Sequence, residues 1–146
     1  MRDWSAIRER YLRDGLPTRL GGLASNLGRI HSFAAQGGSG DVVRSLMDES
    51  AHFIEWTAAE VEVNAAGELV TLQVELARWR QSWPRTWEDP ALREEMAAKA
   101  GTWSRRVLGI SGLLSPIERA AGMLAGQGSL TEALVEEHRK ERKRGR

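Results

Sequence analysis

The sequence contains no cysteine. This absence excludes a disulfide framework, a thiol nucleophile and any metal site built on thiolates. A chain of 146 residues is long enough to bury a hydrophobic core without a disulfide or a metal, so we expect one domain that folds unaided. The lack of disulfides is also typical of proteins from reducing compartments.

Long apolar runs are missing as well. No stretch approaches the roughly 18 consecutive apolar residues that a membrane-spanning helix needs. The chain opens on Met1-Arg2-Asp3-Trp4, and no apolar run follows these residues, so a signal peptide is not expected. These features predict a soluble, cytoplasmic protein.

Residues that commonly carry chemistry are few. The chain has three histidines, and it contains no glycine-rich phosphate loop, nucleophile elbow or His-Glu-x-x-His motif. Glu49 and His52 form one Glu-x-x-His pair, which Glu55 extends along the same helix face. Di-iron bundles use two such pairs and two further glutamates, so half of the ligand set is missing. We predict no catalytic residue, no metal and no cofactor.

Charge is balanced overall but unevenly distributed. The formal net charge is +1, yet the segment from His138 onward has six bases and one acid, which leaves −4 on residues 1–137 and +5 on residues 138–146. A uniformly basic nucleic-acid-binding domain has a different distribution. We predict a disordered, solvated tail, and the alternative is salt-sensitive binding of nucleic acid or another anionic surface. The cations of this tail are Arg139, Lys140, Arg142, Lys143, Arg144 and Arg146.

The sequence is rich in helical periodicity. Over residues 67–114, apolar residues recur every three or four positions on both sides of a polar turn at residues 83–90, which is the spacing of amphipathic helices. Pro84 predicts the end of one helix, and Asp89-Pro90 predicts the capped start of the next. The apolar positions are Leu69, Leu72, Leu76, Trp79 and Trp83 before the turn, and Leu92, Met96, Ala100, Trp103, Val107, Ile110 and Leu114 after it.

An earlier helix is predicted from Pro17 or Thr18 to Gln36, followed by a loop at residues 37–40. It carries a leucine-rich row and, beside it, a row of small residues that would let a neighbouring backbone approach closely. Interior glycines weaken a helix, so the alternative is a break at Gly21-Gly22. The small residues are Gly21, Ser25, Gly28, Ser32 and Ala35.

The next helix begins after Ser39 or Asp41, either of which can cap it. Because no proline intervenes before the turn at residues 83–90, one helix over residues 41–83 is formally allowed. We instead predict a break between residues 57 and 65. The signals for the break are a capping-box pattern, Thr57-x-x-Glu60, and a second capping residue, Asn64. Between them, Val61 and Val63 interrupt the helical rhythm.

Two helical hairpins, over residues 16–56 and 66–112, predict an all-α fold with an antiparallel up-and-down four-helix bundle. No segment has the periodicity of a strand. A short helix capped by Asp3 and stopped near Gly15 would precede the bundle. Two short helices opening at Ser115 and Ser129 would follow it. These elements predict a single domain over residues 1–137.

Tryptophan is abundant, with six residues, and three of them surround the turn between the last two bundle helices. Tryptophan and arginine are enriched at interface hot spots, so this Trp/Arg turn is a predicted partner-binding surface. The alternative is that Trp79 and Trp83 close the end of the core while Trp87 pins the loop. The residues of the Trp/Arg turn are Trp79, Arg80, Trp83, Arg85 and Trp87.

Three stretches resemble an uncharacterised group of small all-helical cyanobacterial proteins. They are Phe53-Ile54-Glu55-Trp56-Thr57-Ala58, Glu68-Leu69-Val70-x-Leu72-Gln73 and Trp103-Ser104-x-x-Val107-Leu108. The similarity covers most of residues 1–114 and leaves out the basic tail. The resemblance brings no ligand or catalytic residue, and it implies only a bacterial, cytoplasmic, helical protein.

The sequence therefore favours a non-catalytic helical bundle that acts through protein–protein contact, as an adaptor or a homodimer. Exposed residues of the third helix and the Trp/Arg turn would supply the surface. The second hypothesis is a nucleic-acid-associated protein anchored by the basic tail. The third is a metal-containing bundle enzyme, which the missing ligands oppose.

Overall fold

The computed structural model describes residues 2–112. Within this part of the chain 87% of residues are helical and none forms a strand. The helices are α1 (Trp4–Arg13), α2 (Leu16–Gln36), α3 (Gly40–Thr57), α4 (Val63–Gln81), α5 (Arg85–Glu88) and α6 (Pro90–Ser111), with one 3-10 turn at Ala58–Glu60.

The four long helices α2, α3, α4 and α6 pack antiparallel, and α1 is a short additional helix. This arrangement confirms the predicted all-α four-helix bundle. The predicted helices that open at Ser115 and Ser129, and the boundary between the domain over residues 1–137 and the tail, lie outside the described residues.

The predicted apolar stripes form the core. Leu69, Leu72 and Leu76 are buried because α4 turns its three-and-four row of apolar residues towards the bundle axis. Leu92 is only half-buried, and Leu114 lies outside the described residues. The residues with less than 2% of their surface exposed are Leu20, Leu23, Leu27, Ile30, Val43, Met47, Ile54, Leu69, Leu72, Leu76, Met96 and Val107.

The backbones of α2 and α6 approach closely. A Cβ atom built on Gly101 would lie 3.0 Å from Nδ1 of His31, so no larger residue fits there without movement. Nearby, the Ser104 hydroxyl donates a hydrogen bond of 2.7 Å to the Ala24 carbonyl. α2 runs unbroken past Gly21-Gly22. The alternative of a break is therefore wrong. The close approach lies at Ala24 and Gly101, whereas Ser25, Ser32 and Ala35 of the predicted small row are exposed.

Three predicted caps close helix ends. The carboxylate of Asp3 accepts from the Ala6 amide at the start of α1, and the Ser39 hydroxyl accepts from the Val42 amide at the start of α3. Asp89 accepts from the amides at the start of α6. Each cap satisfies donors that the first helical turn leaves without partners.

The break between α3 and α4 is confirmed, but two of its predicted causes are wrong. Thr57 does not cap a helix, because its side chain is buried and its hydroxyl lies 2.7 Å from the Tyr11 hydroxyl. Asn64 is not the cap of α4 either. The Glu62 carboxylate caps α4 by accepting from the amides of Asn64 and Ala65, since a glutamate one position outside the helix reaches the same donors.

Candidate functional site

The Trp/Arg turn closes one end of the bundle. Trp79 is only 7% exposed and belongs to the core. Trp83 and Trp87 are half-buried, and their rings stack with centroids 5.7 Å apart. Trp79 therefore offers little surface to a partner, whereas Trp83 and Trp87 remain partly exposed.

Trp87 is fixed from two sides. Its indole lies against the first residue of α3, so close that a Cβ atom on Gly40 would come within 2.8 Å of the ring. The guanidinium of Arg93 lies 5.5 Å from the ring centroid and donates a hydrogen bond to the Trp87 carbonyl. This packing matches the alternative in which Trp87 pins the loop.

The two arginines of the turn differ in their environment. Arg80 is half-buried and forms an ion pair of 3.2 Å with Asp48 of α3. Arg85 is exposed and makes no ion pair within residues 2–112. Arg80 thus holds α4 against α3, and Arg85 is the free cation of this turn in the described part of the chain.

The Glu49-x-x-His52 pair lies beside α1. The Glu49 carboxylate accepts from Asn26 and lies 3.5 Å from Arg2. The His52 ring lies 3.9 Å from the Trp4 ring, and Glu55 is 3.8 Å from His52. Within the described residues, no three histidine, aspartate or glutamate side chains are grouped to hold a metal. The pair instead helps to dock α1.

A polar network surrounds the junction of α1, α2 and α3. The Tyr11 hydroxyl donates to the Arg19 carbonyl and pairs with Thr57, and burial raises the pKa of Tyr11. The Arg19 guanidinium forms a two-pronged pair with Glu60 at 2.6 and 2.9 Å. The hydrogen bond from Arg19 lowers the pKa of Glu60. Because every member has a partner here, the network is a structural one.

A cleft of about 520 Å³ opens at the end of the bundle where α2 and α4 begin and α6 ends. Its lining combines apolar side chains, such as Leu20 and Ile110, with the charged residues Glu60, Glu62, Glu68 and Arg106. The chain leaves the described region at Gly112, two residues after Ile110. Among the described residues, its lining includes no serine, threonine or histidine that could act as a nucleophile or base.

α4 carries an unusual second apolar stripe on its solvent side. Val63 is 83% exposed, Val70 52% and Val74 47%. Within residues 2–112 the other large hydrophobic residue with comparable exposure is Val42 of α3, at 46%. We define the outer face of α4 as Val63, Gly67, Val70, Val74 and Ala77. No charged residue belongs to it.

The outer face lies opposite the core stripe. At 3.6 residues per turn, the outer residues fall in a narrow arc of α4, and the core residues Leu69, Leu72 and Leu76 fall on the other side. The outer spacings are four, three, four and three, the same rhythm as the core stripe. Sequence reasoning missed this face, although its signal is visible in the spacing of the valines.

No protein-family model, curated protein or solved structure matches the chain. None of the helices in residues 2–112 is both long and apolar enough to cross a membrane. The cations of the predicted anionic-surface site, from Arg139 to Arg146, lie outside the described residues. Function therefore has to be argued from the surfaces of the bundle.

Proposed function

We propose that the protein is a non-catalytic helical bundle that acts through protein–protein contact, and that the outer face of α4 is its contact surface. One observation carries this proposal: three of the four most exposed large hydrophobic residues in residues 2–112 lie in register on one helix. Exposed apolar residues scattered singly need no explanation, whereas an aligned, uncharged patch marks an interaction site.

The other surfaces support this choice. Most of the tryptophan surface of the predicted Trp/Arg turn is buried against the bundle, since Trp79 is buried and Trp87 packs against α3. The polar networks of the described residues join helices to one another. Within residues 2–112, the outer face of α4 packs against no other helix in this way. The core of an interface patch is more apolar than the rest of the protein surface.

The test compares two glutamate substitutions at similarly exposed valines. Val70→Glu places a charge in the middle of the outer face, and Val42→Glu places the same charge on α3. Each tagged chain is produced in the native host, and the size of its complexes is measured in gently prepared extracts. We expect Val70→Glu to remove the larger complexes and Val42→Glu to keep them. Equal complexes for both variants would refute the proposal.

A further inference from the structure

We propose that residues 113–118 of this chain bind in the cleft at the end of the bundle, with Glu118 paired with Arg106. This contact is separate from the outer face of α4, which carries the proposed function. Three observations support it: the described chain ends beside the cleft, the next residues in the sequence are apolar, and a guanidinium of the cleft has no partner.

The described chain ends at the edge of the cleft. Gly109 and Ile110, in the last turn of α6, line it, and Gly112 ends the helix with a left-handed φ of 77°. A left-handed cap turns the chain back across the last helical turn, where the residue after the glycine commonly packs. The five residues 113–117 extend up to about 17 Å. They can therefore cross the cleft without a linker.

The cleft and the residues that follow Gly112 are complementary in polarity. Leu16, Val61 and Ala65 line the cleft and are only half-buried, so part of their apolar surface is available for contact. The chain continues as Leu113-Leu114-Ser115-Pro116-Ile117, which carries no charge. Because burial removes apolar surface of both partners from water, it stabilises such a contact.

Arg106 supplies an unpaired charge. It makes no ion pair within residues 2–112, and its Nε is buried without a hydrogen-bond partner. A buried donor without a partner costs more free energy than a typical hydrogen bond contributes. Glu118 is the first charged residue after Gly112. Its carboxylate is therefore the nearest one along the following chain that can satisfy this guanidinium.

The acids of the cleft are compatible with this pair. Glu60 already has a guanidinium partner, and Glu62 accepts from the amides at the start of α4. Glu68 lines the cleft and makes no ion pair among the described residues. Arg119 directly follows Glu118 in the sequence. One additional acid and one additional base thus balance the two unpaired charges of the cleft.

The first experiment uses the absence of native cysteine. Ile117→Cys is combined in the full chain either with Ala65→Cys, inside the cleft, or with Gly67→Cys, on the outer face of the same helix. Each double variant is oxidised at low protein concentration, and mass spectrometry follows the intrachain disulfide. The 65–117 disulfide should form about tenfold faster than the 67–117 disulfide, because binding in the cleft raises the effective thiol concentration. Equal rates, or a faster control, would overturn the proposal.

The second experiment exchanges the two charges. Arg106→Glu and Glu118→Arg should each lower the midpoint of urea unfolding, and the double variant should recover much of this loss, because the pair is restored in reverse. Arg105→Glu is the matched control, since Arg105 is exposed one position earlier in α6. Combined with Glu118→Arg, it should recover nothing. A double variant of residues 106 and 118 that loses the sum of the single losses would contradict the pairing.

The third experiment separates this segment from other occupants of the cleft and does not depend on the fold of Arg106→Glu. The thiol of Ala65→Cys is labelled with a thiol reagent in the full chain, with and without Ile117→Glu. We expect the added charge to release the segment and to speed labelling several-fold. Slow labelling in both chains would mean that something else covers the cleft, and fast labelling in both would mean an open cleft. Either result would overturn the proposal.

Discussion

At the scale of single residues, the Arg19–Glu60 pair shows how a partly exposed contact holds a helix junction. Arg19 has a side chain only 7% exposed, whereas the side chain of Glu60 is 51% exposed. The hydrogen bond from Arg19 holds the pKa of Glu60 below its ordinary value of 4.5. The Glu60 carboxylate therefore binds a proton less readily in the folded chain than in the unfolded chain.

We predict that the Arg19–Glu60 pair makes the unfolding free energy of the protein depend on pH in the acidic range. A lowered folded-state pKa stabilises the fold above pH 4.5 and loses that contribution as pH falls through the folded value. Glu60→Gln should flatten the loss of unfolding free energy that occurs as the pH falls below 4.5, measured by urea unfolding. In an Arg19→Met background the same substitution should have no further effect. Parallel curves for wild type and Glu60→Gln would contradict the coupling.

Two glycines offer a second prediction at this scale. Gly40→Ala should lower the unfolding free energy by about 1–3 kcal/mol, because the added methyl group enters a space that Trp87 already fills. Gly22→Ala is the matched control, since nothing lies within 4 Å of its Cβ position inside α2. It should raise the unfolding free energy by roughly 1 kcal/mol through helix propensity. Thermal unfolding of both variants measures the two changes in unfolding free energy, which should have opposite signs. A change in unfolding free energy of the same sign for both variants would show that the Trp87 ring moves aside at no cost.

At the scale of elements, α1 depends on its contacts with the bundle. Its ten residues are too few to form a stable helix alone. Tyr11 anchors it, with a ring 4.1 Å from that of Phe53 and a hydroxyl paired with Thr57. The tilted contact between the rings of Trp4 and His52 adds a second contact near the start of the helix.

We predict that Tyr11→Ala detaches α1 and leaves the bundle folded. Amide protons of α1 should then exchange with an opening free energy close to zero, while those of α2 and α6 keep most of their protection, as hydrogen exchange will show. Arg13→Ala removes only an exposed pair with Glu9 and should preserve the protection of α1. Loss of protection throughout the bundle would show instead that α1 belongs to its cooperative core.

α4 illustrates how an element can be predicted correctly and still be misread. Its core stripe of Leu69, Leu72 and Leu76 identified the helix, and all three leucines are buried. Val63 was read from the sequence as an interruption of the helical rhythm near the break. In the structure Val63 is the first residue of the outer face. The apparent interruption therefore belongs to a second apolar stripe on the opposite side of the same helix.

At the scale of the whole molecule, the proposed contact at the outer face of α4 makes stability depend on the partner. A partner that binds only the folded chain adds to its stability by mass action. The unfolding midpoint of the wild type should therefore be several degrees higher in native-host extract than after purification at the same chain concentration, measured as the tagged chain that stays soluble on heating. Val70→Glu should unfold at the same midpoint in both, and Val42→Glu should follow the wild type. Equal midpoints for the wild type in extract and after purification would contradict the contact.

Much of the fold was predictable because helix periodicity and caps are local signals. The capping roles of Asp3, Ser39 and Asp89 follow from their own side chains and the next few amides. The roles of Thr57 and Glu62 were not predictable in the same way. Thr57 faces Tyr11, which is 46 residues away in the chain, and no local pattern reports such a partner.

The candidate site was harder to predict than the fold. The composition of the Trp/Arg turn is typical of a binding surface, but composition does not reveal which of its aromatic rings are buried in the core. Trp79 is 7% exposed and Val70 is 52% exposed, the reverse of what their residue types suggest for a contact surface. Exposure depends on how neighbouring helices are arranged around the side chain.

The sequence by itself determined that residues 2–112 are helical, where their helices turn, and which leucines form most of the core. Each of these depends on spacings within one or two turns of helix. Only the tertiary structure decided that the tryptophans close an end of the bundle and that the valines of α4 remain outside. A bundle has one interior, so a helix with two apolar stripes can bury just one of them. Which stripe remains exposed is settled when four helices pack together, and that choice defines the surface proposed for contact.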